Sequence, residues 1–157
     1  MSSDLTRRSL IATACAALAG CGFTPAYAPG GAAAALRDRI AVTAPATVTG
    51  FALAQRIEDR LGRGTAYQLR VDIDDRLEPA AITADGDTTR FQIVGIATWQ
   101  LLDGSSVQAK GRAEAFASYS ATGSTVATQS AEADALDRLA TMLADRIVSD
   151  LILAEFP

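Results

Sequence analysis

Two hydrophobic periods run through the chain, and their alternation predicts its elements. Tyr67, Leu69, Val71 and Ile73 are separated by Gln68, Arg70, Asp72 and Asp74, a period of two that predicts a strand with one face in a core. Upstream, Arg39-Ile40-Ala41-Val42 is a short apolar stretch closed by Pro45, which reads as a first strand at a sheet edge. Between these, Phe51, Ala54, Ile57, Glu58 and Leu61 recur at helical spacing, with Thr49 or Gly50 as cap and Gly62 and Gly64 as the stop; a helix is predicted over Phe51 to Leu61.

Downstream, Asp85-Gly86-Asp87 has the chemistry of a turn. A long apolar run from Arg90 to Leu102 then meets Asp103-Gly104 and a second run from Val107 to Tyr119, the pattern of a hairpin. In the second run Val107, Ala109, Gly111, Ala113, Ala115 and Ala117 place small residues on one face, as where a helix lies close on a sheet. The other face carries Lys110, Arg112, Glu114 and Phe116. A long helix is predicted from Thr128 to Ala154 on the broad stripe of Ala131, Ala135, Leu139, Met142, Ile147 and Leu151, with Ser124, Thr125 or Thr128 as N-cap. The order β-α-β-β-β-α predicts an α+β domain over residues 37–157, with two helices packed on one face of a mixed four-stranded sheet.

The first residues follow another rule. Met1 to Arg8 is short and basic at its end, and Ser9 to Ala19 is apolar over the length of a signal-peptide core. The run closes on Leu18-Ala19-Gly20-Cys21, which resembles the lipobox of bacterial lipoproteins. The resemblance implies a signal peptide over 1–20, lipidation of Cys21, and acyl chains whose buried methylenes contribute about 0.8 kcal/mol each to anchoring. Thr6-Arg7-Arg8-Ser9-Leu10 is similar to a twin-arginine signal, though an ordinary basic leader contains the same pair. Gly22 in place of an aspartate matches lipoproteins sorted to the outer membrane, so the expected location is its periplasmic side. Residues 21–36, rich in Gly, Pro and Ala, read as a lipidated N-terminus and flexible tether.

Composition narrows the chemistry. Of 157 residues 49% are hydrophobic, enough for a core, so disorder is not expected. The net charge of −4 becomes about −5 once Asp4, Arg7 and Arg8 leave with the signal peptide, and so acidic a domain is ill suited to nucleic acid. Histidine is absent, which removes the commonest general base and metal ligand. Both cysteines, Cys15 and Cys21, precede the domain, so it holds no internal disulfide. No catalytic group, cofactor or metal site is expected.

Three segments resemble the LptE family, the lipoproteins that partner the LptD outer-membrane barrel in lipopolysaccharide assembly. They are Leu18-Ala19-Gly20-Cys21-Gly22-Phe23-Thr24-Pro25-Ala26-Tyr27, the Tyr67 to Ile73 strand, and Gly111-Arg112-Ala113-Glu114-Ala115-Phe116-Ala117-Ser118-Tyr119 leading through Ser124 and Ala127 into Ala131-Glu132-Ala133-Asp134-Ala135-Leu136. The resemblance implies a binding protein, not an enzyme, that plugs an LptD-type β-barrel and contacts lipopolysaccharide. The rival readings are an accessory lipoprotein of another envelope system and a carboxylate-only enzyme using Glu114 or Asp72, in the manner of a glycosidase.

The residues suit that implication at one place. A sheet covered by helices on one side leaves the other open. Strand parity places Arg70, Arg90, Lys110 and Arg112 on that open side, with Val94, Ile96 and Phe116 as apolar neighbours. Arginine's planar fork pairs two hydrogen bonds with a phosphate, and lipid A offers phosphates and acyl chains. Equally, such charges suit an ordinary solvated face. Asp72, Asp74 and Asp75 lack the loop spacing of a calcium site, and Trp99 reads as a core residue before an interface one.

Overall fold

The structure, a computed structural model, describes residues 31–82 and 88–154. Cys21, the signal peptide, most of the tether and the Asp85-Gly86-Asp87 turn lie outside the described residues. The elements are helix α1 (Ala32–Leu36), strand β1 (Ile40–Thr43), helix α2 (Val48–Leu61), strands β2 (Tyr67–Ile82), β3 (Thr88–Asp103) and β4 (Ser106–Ser120), and helix α3 (Thr125–Leu153).

The strands lie in the order β1-β2-β3-β4, with β1 parallel to β2 and the other pairs antiparallel. Helices α2 and α3 pack on each other; α2 meets β1, and α3 meets β3 and β4. This is the α+β arrangement, mixed sheet and helical layer that the sequence predicts. Each strand's core set has odd parity from β2 onward: Leu69 and Val71, then Ile93, Ala97, Trp99 and Leu101, then Ala113, Ala115, Ala117 and Tyr119. From the helices come Leu53, Ile57 and Leu61 of α2 and Leu139, Leu143, Ile147 and Leu151 of α3, all buried. Full burial of each of these large aliphatic side chains contributes about 1.5–3 kcal/mol.

Helix α3 can lie close on the sheet because the residues beneath it are small. A Cβ on Gly95 would stand 2.9 Å from Leu139 Cδ2, inside the ~3.5–4.0 Å of an ordinary carbon contact. The small-residue face of β4 is thus occupied as its pattern predicts, except at Val107. A register shift between Leu101 and Leu102 pairs Val107 with Leu102 and turns it to the other face, half exposed at 50%; a bulge adds one residue and reverses parity beyond it.

Other boundaries move for local reasons. Helix α2 starts at Val48, capped by the Thr47 hydroxyl, which accepts from the Gly50 N–H at 3.1 Å, so neither Thr49 nor Gly50 is the cap. Its buried stripe is Thr49, Gly50, Leu53, Ile57 and Leu61, leaving Phe51 exposed. Helix α3 starts at Thr125, with Ser124 Oγ accepting from the Ala127 N–H at 3.3 Å, and Met142 is partly exposed. Ordered structure begins ahead of Arg37: α1 packs against α3 and buries Ala33 and Leu36, so the last residues assigned to the tether belong to the core. Among the described residues the buried hydrophobic core runs from Ala33 to Leu151.

Candidate functional site

With odd residues committed to the helices, the even residues of β2, β3 and β4 form the uncovered face, and the register sets them in rows. Arg70 stands opposite Gln100 and then Lys110; Asp72 opposite Thr98 and Arg112; Asp74 opposite Ile96 and Glu114; Arg76 opposite Val94 and Phe116. Directly opposed residues in an antiparallel pair share a face, so each row is a line of side chains across three strands.

The first two rows surround a shallow cleft of about 550 Å³ lined by Arg70, Asp72, Thr98, Gln100, Lys110 and Arg112, with the Trp99 and Gly111 positions between them. Three of the four cations expected on this face therefore converge. Arg90 does not join them. It pairs with Ser120, eight residues along β3 from Thr98, roughly 26 Å away at ~3.3 Å per residue.

Val94, Ile96 and Phe116 sit together in the next two rows, Ile96 two residues and Val94 and Phe116 four residues from the cationic cleft, about 7 and 13 Å along the strands. Val94 and Ile96 are half-buried and Phe116 is 61% exposed. One uncovered surface thus carries a cationic end and an apolar end.

Its electrostatics are graded. Arg112 is paired with Glu114, two residues along the same strand and more than half exposed. Arg76 Nε donates to Glu78 at 2.7 Å, and that contact raises its already high pKa further. Among the described residues Arg70 and Lys110 make no ion pair, so their charge remains available to an incoming anion. Sequence reasoning missed Asp72, Thr98 and Gln100 as cleft residues and Glu114 as the partner of Arg112. Their even parity was the signal that assigns them to this face.

Asp72 and Asp74 lie on the open face while Asp75 has the opposite parity, so the acidic trio does not converge. No group of three potential metal ligands comes together among the described residues. Glu114 and Asp72 stand on strands separated by β3 and one row apart, on an open sheet instead of in a deep cleft. Trp99 is core, 3% exposed, and its indole N–H is buried with no hydrogen-bond partner in the structure.

Solved structures share this fold. A protein of Caulobacter crescentus classed as a lipoprotein has a TM-score of 0.65 and 24% identity over 77% of this chain and 93% of its own. The minor lipoprotein of Acinetobacter baumannii has a TM-score of 0.61 and 20% identity over 76% and 94%. The rare lipoprotein B of Shewanella oneidensis has a TM-score of 0.54 and 12% identity over 72% and 91%. No curated protein matches the chain's sequence. Residues 37–151, from before β1 to the last turn of α3, match the family described as LptE, Lipopolysaccharide-assembly, and the chain belongs to that family.

Proposed function

We propose that the mature chain is lipidated at Cys21, held at the periplasmic side of the outer membrane, seated in an LptD-type β-barrel, and in contact with lipopolysaccharide through the uncovered face of its sheet. The observation that carries this reading is the placement of Arg70, Lys110 and Arg112 around one cleft, with Val94, Ile96 and Phe116 about 7 to 13 Å away on the same face. A phosphorylated, acylated glycolipid presents anionic groups and hydrocarbon on one molecule. Arginine holds phosphate by paired hydrogen bonds, lysine as a point charge, and the half-buried apolar residues offer acyl chains a place out of water.

Among the described residues no helix covers this face, and the three long strands present it as a continuous surface. The role is one of binding and guidance, since the face offers charge and apolar area without a paired general acid and base.

Two measurements test the reading. Purified chain beginning at Gly22, which contains every buried residue among those described, should bind lipopolysaccharide, and R70E/K110E/R112E should weaken that binding at least about tenfold, as loss of two or three charge-assisted contacts requires. Pull-down of the lipidated protein from membranes should recover a large β-barrel. Equal lipopolysaccharide binding by the triple variant and recovery of soluble periplasmic proteins alone would each refute the corresponding half.

A further inference from the structure

Helix α3 packs along β4, and beside the outer edge of that strand the two enclose a groove of about 400 Å³ lined by Phe116, Ala117, Ser118, Arg138, Thr141 and Met142. Its wall is mainly apolar. Phe116 is 61% exposed and Met142 37%, and a flexible thioether beside a ring adapts to an irregular hydrocarbon. Arg138 supplies the charge. Its Nη2 donates to the Ser118 carbonyl at 3.1 Å, which fixes the guanidinium against the strand, and among the described residues it makes no ion pair. The rest of its donor fork is left for an anion. Backbone donors lie on the same side. The Ala121 N–H donates inward to the Thr89 carbonyl at 3.0 Å, and backbone groups alternate inward and outward along an antiparallel strand, so the Phe116 and Ser118 N–H groups point outward. No carboxylate lines this groove. The clefts beside Arg70, Arg146 and Pro45 differ in that respect: the first holds Asp72, the second Glu114, Asp145 and Asp150, the third Glu58 and Asp59.

We infer that this groove binds a long-chain fatty acid, its carboxylate held by Arg138 and its hydrocarbon lying along Phe116, Ala117 and Met142. The planar guanidinium matches a planar carboxylate through paired hydrogen bonds. The volume selects a single chain: about 400 Å³ falls near the lower end of the ~300–1,000 Å³ of small-ligand sites, and a second acyl chain would find no further apolar wall among the lining residues. Methylenes taken out of water then supply affinity in proportion to chain length. This site stands apart from the barrel and lipopolysaccharide reading, because Arg138 belongs to α3 and not to the uncovered sheet face; Phe116 is common to both.

Calorimetric titration of the chain from Gly22 with dodecanoate tests it. Saturable binding of one molecule per chain is expected, with affinity rising about two- to fourfold per methylene from octanoate to dodecanoate. Dodecanol, which has the same chain and no charge, should bind at least about tenfold more weakly, a comparison that needs no variant. Arg138→Gln should bring dodecanoate down to the level of dodecanol and leave dodecanol unchanged. Met142→Gln, at a partly exposed position, should weaken both and flatten the dependence on chain length. R70E/K110E/R112E, which disables the cationic cleft, should leave dodecanoate binding unchanged, so the two readings fail separately. Absence of saturable binding overturns the inference, as does equal binding of acid and alcohol, or undiminished binding by Arg138→Gln. Loss of binding in R70E/K110E/R112E would move the ligand to the sheet face, and tighter binding of a dodecanoyl lysophosphatidylglycerol than of dodecanoate would give the groove to a phospholipid; either result overturns it equally.

Discussion

The contact between Trp99 and Gly111 supports a sharp prediction, since it joins the chain's one tryptophan to a position that only glycine fits. A Cβ built on Gly111 would lie 2.5 Å from Trp99 Cζ2 and 2.7 Å from Cε2, against ~3.5–4.0 Å for a relaxed carbon contact. In Gly111→Ala the ring or the strand must therefore give way by about 1 Å. Trp99 is 3% exposed, so the retreat is resisted by the packed core; overpacking of this kind costs about 1–3 kcal/mol. Denaturant melts followed by far-ultraviolet circular dichroism, a signal that both backgrounds retain, measure the loss directly. The cost belongs to the pair, so in a Trp99→Leu background, where the ring is gone, Gly111→Ala should cost less than about 0.5 kcal/mol. An equal cost in both backgrounds would show that the glycine serves the backbone of β4, and the packing argument would fail.

Other outcomes follow from the same geometry. Leu139→Ala, at a side chain fully buried over Gly95, should destabilise by about 2–5 kcal/mol in equilibrium unfolding; a loss under 1 kcal/mol would contradict the close seating of α3. Thr47→Ala should cost about 0.5–2 kcal/mol by leaving the Gly50 N–H without its cap, and Thr47→Ser should cost far less. Tyr119 has its pKa raised, first by burial and then by Glu132. The folded state therefore holds the neutral phenol while the unfolded chain ionises near ~10, so this contribution to stability is complete below that pH and declines as pH rises through the folded value. Tyr119→Phe should remove that alkaline dependence from melts compared across the range, and an unchanged slope would dismiss the assignment.

Much of this protein was legible as pattern. Period two in Tyr67 to Ile73, the small residues of β4 and the stripe of α3 record which side chains meet water and which meet one another, and that information is local. It sufficed for the element order, the layered α+β class, the core position of Trp99 and the parity of Arg70, Lys110 and Arg112. The family resemblance was legible in the same segments.

What local pattern leaves open is distance between segments and the exact set of side chains under a helix. Arg90 shares parity with the other cations but not their neighbourhood, because register along β3 separates it by roughly 26 Å. Phe51 has helical spacing yet faces water, since α2 rotates to bury Leu53 and Ile57. Val107 leaves its predicted face at a bulge, and Leu36 enters the core from a stretch whose composition reads as tether. Face follows from a residue's nearest neighbours in sequence. Neighbourhood follows from which strands pair, in what register, and how near α3 can approach a sheet that carries glycine and alanine beneath it.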